Sequence, residues 1–262
     1  MINLLIIFVL HFVKNTIYLQ SVNKVIHMNG RTINPYVSVD CVLLGFDGDK
    51  LNVLLVRQCD GGVDNVTEYY KLPGSLIYMD EDLDDAAKRV LKELTGLVQV
   101  DMTQFKAFGS ANRLANPKDT VWLERFHRLD HHLERIVTVA YLSLLRIGRK
   151  HSNLEHMYEA CWVAVDNLPQ LAFDHSDIVD EALLKVRGMA VSSPVKLFEL
   201  LPRKFTIAQL HVLYETIMGR SIDLRNFHKK VQSMPYVIPL DEKEQGVNHR
   251  AARFYRFVKA NV

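Results

Sequence analysis

The chain has 262 residues, 48% of them hydrophobic and 24% charged, with a formal net charge of +2. These are ordinary values for a globular chain of one or two domains. The three cysteines, Cys41, Cys59 and Cys161, are odd in number and form no C-x-x-C, which argues against a disulfide framework or a zinc site and for a reducing, cytoplasmic compartment.

The first residues do not read like the rest. Ile2 to Val13 is an apolar run broken by His11. It is too short to span a bilayer. No basic segment precedes it and no small-residue cleavage site follows, so it makes a poor signal peptide. Residues 1–27 are therefore read as an artefactual or disordered extension with Met28 as the start; a weak membrane anchor is the rival reading. No membrane partner is expected.

Tyr36 to Phe46 and Leu51 to Gln58 predict strands, rich in Val, Leu and Ile, joined by a turn at Asp47-Gly48-Asp49. Tyr69 to Leu72 leads in, and the stretch Lys71 to Glu81 reads as a loop feeding a helix, with Pro73-Gly74 as a turn. Asp80, Glu81, Asp82, Asp84 and Asp85 crowd the start of that helix, where the macrodipole favours anions. Leu83, Ala87, Val90, Leu91 and Leu94 recur at helical spacing, and Gly96 is a stop signal.

Gln104 to Ser110, Ile136 to Leu145 and Cys161 to Val165 predict further strands. Between them, residues 112–135 form a long polar stretch. Trp122, Phe126, Leu129 and Leu133 give it a helical period. His127 and His131 are four apart, the spacing of a shared metal, but a solvated helix face is the simpler reading. Such an element beside a pocket suits a lid or a dimer contact. Phe173-Asp174-His175 then opens a helix to about Gly188, with Ile178, Ala182, Leu183 and Val186 as its apolar stripe. His175 reads as a cap or packing residue.

The last section is basic: Pro194 to Val262 carries 12 Lys/Arg against 6 Asp/Glu, leaving 20 against 24 for the remainder. That asymmetry suggests a polyanionic partner at the C-terminal end. Thr206 is an N-cap candidate before a helix that Gly219 ends. Ser221-Ile222-Asp223 starts a second helix, with Leu224, Phe227, Val231 and Met234 facing inward. Two strands, Tyr236 to Pro239 and Ala252 to Val258, flank a charged tip. Helix, turn, basic helix and basic hairpin is the plan of a winged helix-turn-helix. The candidate DNA-binding residues are Thr206, Arg225, Asn226, Lys229 and Lys230, with Lys243, His249, Arg250 and Arg253 on the hairpin. Arg and Asn suit bidentate contacts with guanine and adenine.

The loop and helix at Leu72 to Leu97 resemble a Nudix box, with Ser75 at the box glycine, Glu81 at its first glutamate, Arg89 at its arginine and Gly96 at its last glycine. The Leu-Pro-Gly lead-in and the Thr-Gly-Leu exit are also similar. Where the family places metal-binding glutamates, this chain reads Arg89-Val90-Leu91-Lys92-Glu93-Leu94. Only Glu93 survives, and one carboxylate is a poor Mg²⁺ site. Neither cofactor nor metal nor catalytic residue is expected.

From Met28 onward the chain resembles bacterial transcription regulators with an N-terminal Nudix-like domain and a C-terminal winged helix. These include regulators of NAD metabolism and of arabinose use. Leu201-Pro202 through Phe205-Thr206 to Gln209-Leu210 and the Phe-Asp-His helix start look most like the arabinose group. The resemblance implies an α+β fold: a Nudix-like α/β/α sandwich over 34–172, a linker helix over 173–193 and a winged helix-turn-helix over 194–262. It further implies a homodimer that binds a double-stranded DNA operator and represses a carbohydrate-utilisation pathway, responding to a small sugar or nucleotide-derived effector. Lys71, Glu81, Arg89, Arg113 and Arg135 are the effector-binding candidates. The alternative is an active hydrolase of a nucleoside diphosphate derivative, which the loss of carboxylates at positions 90 and 94 opposes.

Overall fold

The computed structural model describes residues 27–28, 30–57, 70–120, 123, 135–147, 159–246, 248 and 250–258. Its N-terminal part is an eight-stranded mixed sheet with the strand path β4-β3-β2-β7-β6. The strands are β1 (His27–Met28), β2 (Arg31–Phe46), β3 (Leu51–Arg57), β4 (Tyr70–Lys71), β5 (Gly74–Tyr78), β6 (Thr103–Phe108), β7 (Val137–Arg146) and β8 (Glu159–Ala164). Strand β2 is the spine. It pairs in parallel with β7 from Val37↔Val137 to Phe46↔Arg146, and antiparallel with β3 and β5 on its other edge.

Alternation along the strands sorts two cores. Val39, Cys41 and Leu43 of β2, with Leu54, Val56, Val139 and Tyr141, face the helix α1 (Leu83–Thr95). Val42, Leu44 and Phe46, with Val53, Leu55, Ala140 and Leu142, face the other way, onto α2 (His175–Ser192). A helix on each face makes an α/β/α sandwich.

The second core runs on without a break into the C-terminal module, through Leu197, Phe198 and Leu200 of a 3₁₀ helix at Pro194–Leu200. There β9 (Phe205–Thr206) joins β10 (Val237–Lys243) and β11 (Arg253–Phe257) in a three-stranded sheet, order β10-β11-β9. Helices α3 (Ile207–Met218) and α4 (Leu224–Gln232) complete a winged helix. Thr206 and Gln209 form a reciprocal capping box, and Gly219 stops α3 in the left-handed conformation (φ 65°). The Glu215 carboxylate accepts the Ile222 N–H at 2.8 Å and fastens the turn between the helices.

Several sequence expectations need correction. Residues 74–78 are strand β5, not loop: Gly74, Ser75 and Leu76 pair with Asp40, Val39 and Ser38. Five residues are too few for a period to show, and the pairing is decided by β2. The sheet also begins before residue 34, since β2 starts at Arg31 and His27 pairs with Thr32. Helix α2 runs through Gly188 to Ser192. A glycine in a helix interior costs about 1 kcal/mol against alanine, too little to stop a helix that buries Ala190. Leu224 is 51% exposed, whereas Phe227, Val231 and Met234 are buried. Within 112–135 the described residues 117–120 and Leu123 are helical. Trp122, Phe126, His127, Leu129, His131 and Leu133 lie outside the described residues, as does Cys59. Among the described residues no helix is long and apolar enough to cross a membrane.

Candidate functional site

In the middle of the Val39-Asp40-Cys41-Val42-Leu43-Leu44 run stands a carboxylate. Asp40 is 3% exposed, and a buried charge is tolerated only when it is paired. Its partners converge from three other parts of the chain. Arg113, before the Pro117 helix, donates from Nη2 to Asp40 Oδ2 at 2.9 Å. Its Nη1 lies 3.0 Å from Asp174 Oδ1, at the residue that precedes α2. His175, the first residue of α2, has Nε2 3.4 Å from Asp40 Oδ1. Its Nδ1 accepts the Leu72 N–H at 2.9 Å, so the ring proton is on Nε2 and faces Asp40. Lys71 of β4, also buried, donates from Nζ to the Gly74 carbonyl.

Burial pushes the Asp40 carboxyl up, but His175, Arg113 and Lys71 outweigh it and hold it below the usual range. Burial lowers Lys71 to about 8 and His175 to about 3. Burial also pushes Asp174 up, only partly offset by Arg113. Asp40, Lys71, Arg113 and His175, with Ser38, Gly74, Ser75, Leu76, Leu114, Leu123, Ile136 and Phe173, wall a cavity of about 30 Å³, and Asp174 meets Arg113 outside that wall. That is room for about one water. Phe173 is held in the left-handed region at φ 56°, a strained place for a bulky side chain. The buried Asp119 accepts its backbone N–H.

A consequence for stability follows from His175. Its proton affinity is lower in the folded chain than in the unfolded one, whose ordinary value is 6.5. The folded state is therefore favoured fully above pH 6.5 and loses stability as pH falls from 6.5 towards 3, by up to about 1.4 kcal/mol per pH unit for this one proton. Asp174, shifted the other way, opposes the loss only in the acid part of that window. Urea unfolding at pH 7, 6 and 5 should show the decline, and the His175 ring resonances should keep their neutral pattern at pH 5. A ring midpoint near 6.5 would contradict it.

Of the five effector-binding candidates, the fold brings Lys71 and Arg113 together at this cavity. Glu81 and Arg89 instead brace the box. Arg89 binds Glu81 bidentately, Nε to Oε1 at 2.6 Å and Nη2 to Oε2 at 2.8 Å, and also reaches Glu93 at 3.0 Å. Glu81 additionally accepts the Tyr78 N–H at 3.1 Å, so both candidates are committed to holding β5 against α1. Arg135 is exposed and donates to the Gly109 carbonyl. Sequence reasoning misses Asp40, Asp174 and His175 as members of this cluster. The one signal it offers is an acidic residue inside an apolar strand. Residues 112–135, read as a lid or a dimer contact, contribute Arg113, Leu114 and Leu123 to the wall.

Metal does not fit the box. Val90 is fully buried and Leu94 nearly so, both inside the apolar core against the sheet. Glu93 is half exposed and engaged by Arg89.

In the C-terminal module Arg225, Asn226, Lys229 and Lys230 stand exposed on α4, and Lys243, Arg250 and Arg253 are exposed on the hairpin. The Lys230 ammonium lies over the Tyr214 ring at 4.7 Å. Thr206 is a correction: it is 2% exposed and its hydroxyl accepts the Gln209 N–H, so it caps α3 and offers DNA no surface. His249 lies outside the described residues.

The sequence profile of the NUDIX domain matches residues 34–182, more than half of the chain. The chain belongs to the Nudix family. Its C-terminal part matches the NrtR DNA-binding winged helix domain over residues 197–257. It is thus a Nudix-related regulator in architecture, a Nudix domain followed by a winged helix. The ADPR responsive transcriptional repressor NtrR of Acinetobacter baylyi is 25% identical over 228 residues, which cover 86% of this chain and 82% of that protein. Among solved structures, Shewanella oneidensis NrtR complexed with a 27mer DNA superposes with a TM-score of 0.62 at 23% identity, over 85% of this Nudix protein and 93% of that chain. A MutT/nudix family protein from Enterococcus faecalis gives 0.55 at 24% identity, over 86% and 88%. These likenesses to solved structures carry the fold.

Proposed function

We propose that this Nudix protein is a DNA-binding transcriptional repressor whose Nudix domain has lost the hydrolytic box and senses a nucleotide sugar or small sugar. The observation that carries this reading is the winged helix with its exposed cationic α4. Four polar or cationic side chains on one short helix suit a major groove, and the hairpin cations suit phosphate. The relative in Acinetobacter baylyi is named for its response to ADPR, which supports a nucleotide-sugar effector. The similarity to arabinose regulators supports a carbohydrate-utilisation operon. A homodimer on a palindromic operator follows from one recognition helix per chain.

The test is a footprint of the full chain on its own promoter region, repeated with ADP-ribose and with arabinose. Arg225→Ala should cost about 1–3 kcal/mol in operator affinity and relax preference at one position. Lys243→Ala should weaken all duplexes alike and lower the salt slope by about one. No protected duplex at moderate salt would remove the regulator; a footprint unchanged by either ligand would remove the sensor. With Mg²⁺ or Mn²⁺ and ADP-ribose, turnover above about 1 s⁻¹ would restore the hydrolase reading.

A further inference from the structure

We propose that Arg113 is the anion-recognition residue of the effector pocket, and that Asp174 occupies it as an internal stand-in until an anionic group of the ligand takes its place. This rests on the effector-sensing reading above and names the chemistry of its ligand: a phosphate or diphosphate.

The cavity holds about one water, yet Arg113, Lys71, Ser38 and Ser75 all line it. That is more donor capacity than one water can use. What engages Arg113 instead is the protein's own carboxylates, Asp40 on the cavity wall and Asp174 beside it. The two differ in kind. Asp40 is fixed in the spine of the sheet and contacts both Arg113 and His175. Asp174 sits at the start of α2 and is less fully committed: its Oδ2 accepts from Arg113 at 3.3 Å, and buried Oδ1, though 3.0 Å from Nη1, completes no hydrogen bond. A strained Phe173 precedes it.

Asp174 also has somewhere else to go. It occupies the N-cap position of α2, and aspartate is among the best capping residues, but its side chain makes no capping bond because Arg113 holds it. Displaced by a ligand anion, the carboxylate can turn to the Ser176 and Asp177 N–H groups, the usual partners of an N-cap side chain. The switch thus has two satisfied states, and an anion biases it only by binding one of them better. The remainder of α2 carries the change. Ile178, Val179, Ala182, Leu183 and Val186 share one core with Leu197, Phe198, Leu213 and Tyr214 of the winged helix.

The experiment is calorimetric titration of the full chain with inorganic pyrophosphate and with ADP-ribose. Asp174→Asn keeps shape and capping ability but removes the competing charge. It should bind pyrophosphate about tenfold more tightly than wild type, because the fraction of open sites rises. It should also bind operator DNA more weakly without ligand. Arg113→Gln should lose pyrophosphate binding; should it fail to fold, Arg113→Lys should weaken binding while remaining folded. Unchanged or weaker pyrophosphate binding by Asp174→Asn would overturn the proposal, as would pyrophosphate binding to neither protein. Tighter pyrophosphate binding with no binding of ADP-ribose would support the anion switch and remove the nucleotide-sugar reading alone.

Discussion

Gly74→Ala is expected to destabilise the chain by about 3 kcal/mol or more, at the upper end of what overpacking a core costs. A Cβ at Gly74 would fall 1.8 Å from Asp40 Oδ1 and 2.9 Å from the Val39 carbonyl. Neither neighbour can yield cheaply. Val39 O is backbone in the central strand, and Asp40 is held by Arg113 and His175. Relief requires β5 to part from β2 or the buried ion pairs to break. The position demands glycine for closeness, not for an unusual φ. Gly188 is the control. It is exposed inside α2, and a Cβ there would meet nothing within 4 Å, so Gly188→Ala should stabilise by about 0.5–1 kcal/mol. Urea midpoints read both signs. A Gly74→Ala protein within about 1 kcal/mol of wild type would mean that Asp40 is not fixed as described.

Asp40→Ala is expected to cost about 3–5 kcal/mol, the usual consequence of removing one partner of a buried ion pair. It leaves Arg113, 7% exposed, with Asp174 alone, and takes from the His175 Nε2–H the carboxylate it faces. The pair should be coupled. In a double-mutant cycle with Arg113→Met, the double variant should be less destabilised than the sum of the singles by more than about 1 kcal/mol. Additive losses would show that Asp40 matters by volume and not by charge. The same substitution should slow no chemistry, because none of these groups is assigned to a reaction.

Much of this molecule is legible in one dimension. The stripe from Leu83 to Leu94 and the Gly96 stop predict α1, which ends with the Gly96 N–H on the Lys92 carbonyl. Thr206, Gly219 and Asp223 predict the two helices of the winged module, since caps are local chemistry written within a few residues. The loss of carboxylates at 90 and 94 is visible as plain residue identity. What one-dimensional reading misses is β5, the true extent of α2 and the burial of Thr206, each decided by a neighbour far along the chain.

The candidate site divides the same way. Local pattern determined which helices and hairpins form, that the box lacks its paired glutamates, and that positive charge collects at the C-terminal end. Only the tertiary structure decided that Asp40, Lys71, Arg113, Asp174 and His175 meet, and that Glu81 and Arg89 are spent on each other. Arg113 and Asp40 are 73 residues apart and Leu72 and His175 are 103. Periodicity and capping report a residue's own element. A buried charge is placed by whichever partners the folded sheet and its two helices bring within about 3 Å, because without them it would not stay buried.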